Sequence, residues 1–425
     1  MGLVSPVGDT PDALWDALST GRSGVGPMTV VPADAFPTSI AAEAGGFRGK
    51  IDDFGPLDKE KTKAIRKGLK VMCRECQMGV AVAQRALQNA GLLPGACDPE
   101  RIGISFGSDY MITEAEEFIA AILPCVGEGG RFEFSRWPID GMPQMSPLWL
   151  LKYLPNMPAS HLAIYNDLRG PNNSLTLREA SAGAVLGEAF QVIAGGRADA
   201  MLVGSTGTRL HLLKMVHAAL QEELATETDD PARACRPFER DRTGMVLGEG
   251  AGAVVLETQC LAEARGARIW AEVLGGVAVA AVGPKMEARR EAALANAMRS
   301  VLRISGLSPD EIGHVQAHGL STRSCDIAEA QAIHRVFGDR GRPVPVTAAK
   351  SYFGNLGAGS GMVELVAGVL ALAHDRLFPV MNYGVPDPAC PIAVVGEYGR
   401  EPGDCFIQLS VTPQGQASAV VVGRY

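Results

Sequence analysis

The sequence contains no apolar run long enough to cross a bilayer. Its longest, MVELVAGVLALA at 362–373, covers little more than half of the roughly 20 residues a membrane-spanning helix needs. A basic excess is also missing. The 39 Lys and Arg residues stand against 47 Asp and Glu, and the net charge of −8 is spread along the chain, so it favours solubility and leaves no footprint for nucleic acid or an anionic membrane. The opening MGLVSPVGDT lacks the basic-then-apolar order of a secretory leader, and a cytoplasmic location is expected. The nine cysteines are odd in number and scattered, which fits reduced thiols better than a disulfide framework. The lone C-x-x-C, Cys73 and Cys76, has no second pair at zinc-finger spacing. It lies in KVMCRECQMGVAVAQRALQNAG, where apolar residues recur at helical spacing, so a buried helix face is expected there rather than a metal site.

With 425 residues, 47% of them hydrophobic, the chain is long enough for two core-forming halves. Strand-like runs at 101–106, 198–204, 251–257, 344–348 and 417–423 are separated by Ala-rich helical stretches such as 179–194, 287–305 and 326–336, which is an α/β pattern. The natural boundary falls in LETQCLAEARGAR, giving halves 1–257 and 258–425. Glycine gathers at junctions: GSTG at 204–207, GEGAG at 248–252 and GNLGAGSG at 354–361. Such clusters let backbones approach closely and suit loops that line a site. GEGAG lacks the Gly-Lys-Ser/Thr ending of a phosphate loop and precedes a strand rather than a helix, so nucleotide binding is not expected.

The residues that could do chemistry form an incomplete set. Carbon–carbon bond formation by acyl transfer needs a thiolate nucleophile, donors for a thioester oxyanion, and imidazoles or amides that stabilise the enolate left when a carboxylated extender loses CO₂. His318 in AHGLST and Asn355 in KSYFGNLGAGSGMVE could supply the last two parts, and the first is missing. In VSPVGDTPDALWDALSTGRSGV, NMPASHLAIYNDLRGPNNS, RPFERDRTGMVLGEGAGAVVLE, AHGLSTRSCDIAEAQAI and TAAKSYFGNLGAGSGMVEL, taken in order, the chain resembles the β-ketoacyl-acyl-carrier-protein synthases of fatty acid and polyketide synthesis, within the thiolase superfamily. The resemblance implies a five-layered α/β/α/β/α fold of two similar halves, usually as a dimer.

The departures from that family are as informative as the matches. Its Gly-Pro motif is followed by Thr-Ala-Cys, whose cysteine carries the acyl chain. Here the segment from Gly170-Pro171 to Gly187 aligns without gaps and puts Leu177-Arg178-Glu179 at that tripeptide, so Glu179 stands where the nucleophile is expected. By the same resemblance His318 keeps the first active-site histidine and Asn355 replaces the second, while Lys350 keeps its place in the catalytic set and Glu364 keeps its own, where it is expected at the substrate. Leu320 replaces a threonine of the His-Gly-Thr-Gly-Thr motif and Thr322 retains another, a contact for the pantetheine arm. In the 411–416 loop Pro413 and Gln414 replace glycines, and no phenylalanine remains.

This combination looks like the chain length factors of aromatic polyketide and aryl polyene systems, although those commonly carry glutamine where this chain has Glu179. The expected role is a non-condensing subunit that pairs with an active ketosynthase, or with itself, and shapes the acyl tunnel. Acyl carrier protein would be a further partner, and no cofactor is implied beyond the phosphopantetheine arm it brings. Two enzymatic alternatives remain. One is malonyl-acyl carrier protein decarboxylation, with His318 and Asn355 stabilising the enolate and burial keeping Glu179 protonated; the other is thioester hydrolysis with Glu179 as base. Purely structural roles are also open. Lys350 could pair with Glu364 or with Glu179, and Asp326 and Glu329 could simply favour a helix N-terminus. Arg178 could point away from the pocket and contact nothing there, and Ser181 should be rotated about 200° from Glu179 on a helix.

Overall fold

Glycine at alternate positions explains why the middle of the chain can be layered so tightly. In the computed structural model, which describes residues 1–32, 35–92, 97–226 and 229–425, the GEGAG stretch lies inside a long strand, Leu247–Glu257. Side chains alternate across a strand, so Gly248, Gly250 and Gly252 present one bare face. A Cβ on Gly250 would lie 2.8 Å from Leu356 Cδ1, and one on Gly252 would lie 2.8 Å from Met362 Cβ. Those glycines therefore let the helix Ser360–Ala373 and the turn before it lie directly on the sheet.

That strand belongs to a sheet of seven strands among the described residues. In spatial order they are Gly26–Pro27, Ile40–Ala42, Leu247–Glu257, Ala200–Thr208, Ile102–Ser108 and Asn172–Thr176, with Gly2–Val4 paired antiparallel to Leu247–Glu257. A second sheet runs Ala393–Val394, Pro345–Thr347, His314–Gln316, Cys405–Val411, Gln416–Gly423 and Glu272–Ala280. The helices Ser181–Ala194 and Ser360–Ala373 fill the space between the sheets, and each touches both of them. Arg74–Ala90 covers the outer face of the first sheet, and Arg290–Ser305 and Arg323–Phe337 cover that of the second. This is the five-layered thiolase-like arrangement. Its central core draws on both halves: Val185, Leu186 and Ala189 pack with Val363, Val366 and Leu370.

The five strand-like runs read from sequence all fall on strands, and the three helical stretches fall on helices: 179–194 and 287–305 lose two or three residues at the start, while 326–336 lies inside the longer helix Arg323–Phe337. The expected 179–194 helix begins two residues later, at Ser181, after a tight turn at Arg178–Ala180. Strands Glu272–Ala280, His314–Gln316 and Cys405–Val411 were not anticipated, nor was Asn172–Thr176, whose residues except Leu175 are polar and none of which is fully buried. No described helix is long and apolar enough to cross a membrane.

Candidate functional site

The turn that carries Glu179 is fixed by its neighbours. Arg178 has φ of 52°, a left-handed backbone that costs a non-glycine residue roughly 1–2 kcal/mol. The Ser181 hydroxyl secures the turn, donating to Ser108 O at 2.9 Å and accepting from Leu177 N at 2.9 Å. With its hydroxyl committed to two backbone groups, Ser181 holds the turn and does no chemistry there. Glu179 is thereby set at the start of the central helix, 2% exposed, between the two halves.

Glu179 is gripped by partners from several elements. Its Oε1 accepts from Arg209 Nη2 and, at 3.2 Å, from Asn355 Nδ2. Arg209 also pairs with Asp109 at 2.7 Å, and it is 1% exposed. Arg178 Nε lies 3.6 Å from Glu179 Oε2, beyond hydrogen-bond range but close enough for charge attraction. Burial would push the Glu179 carboxyl up, but the Arg209 and Arg178 guanidiniums win and hold it well below the usual carboxylate range. It is ionised, which removes the protonated Glu179 on which the decarboxylase alternative depended.

The other expected residues divide by position. His318, 1% exposed, lines the same cavity as Glu179 and Asn355. Lys350 Nζ lies 3.1 Å from His318 Nδ1 and donates to its carbonyl at 2.9 Å and to Glu364 Oε1. An ammonium can only donate, so Nδ1 accepts and the ring proton sits on Nε2. Burial and the Lys350 charge push the imidazole well below its ordinary value, so it is neutral. Of the two partners considered for Lys350, the structure gives Glu364. Neither Lys350 nor Glu364 reaches the cavity wall; both stand behind His318, so Glu364, expected at the substrate, is a support for Lys350 instead. Thr322, expected at a pantetheine arm, also lies outside that wall. It caps the helix Arg323–Phe337 by accepting from Cys325 N at 3.3 Å, and its carbonyl accepts from Arg242 Nε at 3.2 Å.

Asn355 has no free donor for a substrate. Its amide nitrogen faces Glu179 and Met245 Sδ, and its oxygen accepts from Gly357 N at 3.0 Å and Ser360 Oγ at 3.2 Å. For Arg178, which the sequence left free to point away from the pocket, the structure gives a definite place. It lines the cavity and bridges its mouth, with Nη1 donating to Gln221 Oε1 at 2.6 Å and Gln414 Oε1 at 3.2 Å. Gln414 belongs to the altered 411–416 loop, and Pro413 from the same loop forms part of the wall. The remaining cavity has a volume of ≈ 10 Å³, about one water molecule and far less than a thioester carbonyl with its flanking atoms.

Asp109 and Arg209 were missed from sequence. Each directly follows a buried strand of the first sheet, Ile102–Ser108 and Ala200–Thr208, which are parallel neighbours, so both emerge at the same end of that sheet. Charges in that position were the available signal. Asp326 and Glu329, read as dipole partners of a helix, instead organise the loop before it. Asp326 accepts from the backbones of Leu320, Ser321 and Phe238, and Glu329 accepts from His318 N and Gly319 N at 2.7 and 2.8 Å. Burial pushes Glu329 up to about 8. A carboxyl raised on folding contributes stability that is full below its unfolded value near 4.3 and is lost as pH rises through about 8. Denaturation midpoints should therefore fall across that window, and Glu329→Gln should flatten the fall; an unchanged slope would assign the dependence to other groups. Among the described residues no group of three His, Cys, Asp or Glu is arranged to hold a metal.

Comparison with known proteins gives a consistent likeness. The family model "Beta-ketoacyl synthase, N-terminal domain" matches residues 1–262, and "Beta-ketoacyl synthase, C-terminal domain" matches 271–384. A 3-oxoacyl-[acyl-carrier-protein] synthase 2 from Synechocystis is 32% identical over 406 residues, covering 94% of this chain and 90% of the relative. A β-ketoacyl synthase from Burkholderia phymatum superposes with a TM-score of 0.84 at 26% identity, covering 100% of this chain and 98% of that one. The ishigamide ketosynthase/chain length factor gives a TM-score of 0.80 at 25% identity, covering 100% and 97%.

Proposed function

The chain belongs to the β-ketoacyl synthase family, and from that premise we propose that it is a non-condensing, chain length factor-like subunit that pairs with an active ketosynthase and shapes the tunnel in which the partner's acyl chain grows. The observation that carries this reading is the ionised Glu179, which the resemblance puts at the nucleophile's position. It is held between Arg209, Arg178 and Asn355 in a site with almost no free volume. A carboxylate so placed forms no stable thioester, and its two guanidinium neighbours make it a weak base, which argues against hydrolysis. Decarboxylation is disfavoured by the negative charge beside a malonyl carboxylate and by the commitment of Asn355 to Glu179.

Two surface features support a partner role. Asn172–Thr176 is an edge strand with unpaired backbone groups, and Ile119, Leu123, Phe134 and Ile139, in the excursion that precedes it, are exposed on the single chain. The exposed helix Lys59–Gly68 carries Lys59, Lys61, Lys63, Arg66 and Lys67 against one acid, Glu60. On an otherwise acidic protein, that face suits an acidic acyl carrier protein bringing its pantetheine arm to the complex.

The test is to purify the chain alone and together with a cysteine-bearing synthase homologue from the same source. We expect a stable complex, with no condensation and no CO₂ release from malonyl-acyl carrier protein by the chain alone. Condensation by the isolated chain would overturn the reading; CO₂ release abolished by His318→Ala would replace it with a decarboxylase.

A further inference from the structure

The lone C-x-x-C does more in three dimensions than fill a helix face. Cys73 is the residue before the first turn of the 17-residue helix Arg74–Ala90, and Cys76 lies one turn in. Their sulfurs are 3.6 Å apart, and Met111, from the segment after strand Ile102–Ser108, brings its Sδ to 3.7 Å from each. Three soft donors from two separate elements thus form a nearly equilateral triangle. A point equidistant from corners 3.7 Å apart lies about 2.1 Å from each (3.7 Å divided by √3), close to the 2.3 Å typical of a metal–thiolate bond. Outward movement of each sulfur by a few tenths of an ångström would complete a trigonal site.

We infer that Cys73, Cys76 and Met111 form a binding site for a soft monovalent metal ion, of which Cu(I) is the physiological representative. The donor set selects it: two thiols and a thioether suit Cu(I), whereas zinc requires a fourth ligand that this cluster lacks. Binding releases the two thiol protons and leaves a complex of net charge −1, which the positive end of the helix favours. Cys73 is partly exposed and provides a path for exchange, while Cys76 is buried. Met111 lies two residues beyond Asp109, the partner of Arg209, so ligation would fasten the segment that carries Asp109 to the helix Arg74–Ala90.

The test uses the full-length reduced chain and Cu(I) in competition with a chromogenic chelator. One Cu(I) per chain should be retained, with thiolate-to-copper absorption in the near ultraviolet. Cys73→Ser should abolish that retention, and Met111→Leu, which keeps side-chain volume, should weaken it by roughly tenfold or more. Cys260→Ser, at the exposed cysteine, should leave it unchanged. Equal retention by Cys73→Ser, or none by the unaltered folded chain, would overturn the proposal. So would a chain that takes up no Cu(I) yet oxidises readily to a Cys73–Cys76 disulfide, because the pair would then be a dithiol couple.

Discussion

Replacing Glu179 by alanine is expected to destabilise the folded chain by about 3–5 kcal/mol, the cost of leaving a buried charge without its partner. Arg209 would keep Asp109 on one side and lose its carboxylate on the other, and Arg178 would lose the anion beside it at the turn. Glu179→Gln should cost less, because an amide oxygen can still accept from Arg209 or Asn355. Removing both charges, as in Glu179→Gln with Arg209→Met, should cost less than the two single changes added together. The sign of the pH effect is also fixed. A carboxyl depressed on folding stabilises fully above its unfolded value near 4.3 and loses that contribution as pH falls below it, so the stability gap between the native chain and the Glu179→Gln variant should close in acid. Millimolar formate should partly restore the alanine variant by occupying the vacated carboxylate position. Denaturant titrations at pH 7 and below pH 4, with and without formate, measure all of this; a loss under about 1 kcal/mol at pH 7 would mean the arginines find other partners and the cluster is not what holds the site together.

The sequence made most of this site legible because the motifs carrying Glu179, His318 and Asn355 keep their order and spacing, and the fold brings all three to one cavity. Lys350 beside Glu364 was also readable, although which of two carboxylates it would choose was not. What escaped were residues whose role depends on two strands ending together. Arg209 sits in GTRLHLL and Asp109 in GSDYM, neither of which is a motif, and only the parallel pairing of their strands makes them partners. The direction of Arg178 was open for a related reason. A residue next to Glu179 on a helix would point elsewhere, but the tight turn with φ of 52° swings it into the cavity mouth. The unanticipated strand Asn172–Thr176 is polar at nearly every position because it lies at a sheet edge, where backbone pairing rather than an apolar face places it. The sulfur triangle was invisible for the same reason as Arg209: its third member is 35 residues beyond Cys76 in a different element.

Placing a cysteine at position 179 should not by itself create a reactive thiol. In Glu179→Cys the thiol would stand at a helix N-terminus beside Arg209, both of which favour the thiolate, so its chemistry should be sound. Access is what it would lack. Arg178 spans the mouth to Gln221 and Gln414, and hydrogen bonds to a charged group contribute roughly 1.5–3 kcal/mol each. At about 1.4 kcal/mol per factor of ten, breaking even one of them to open the site should slow any reagent by about 10–100-fold. The expected result is therefore slow alkylation of Glu179→Cys by iodoacetamide, and a rate about 10–100-fold higher when Arg178→Ala is added. Tryptic mapping of the modified residue separates this thiol from the nine native cysteines. If the single variant is labelled as fast as the double, Arg178 is not a gate. If both are labelled equally slowly, the obstruction lies instead in the packing of Pro413, Leu320 and Met245 around the cavity.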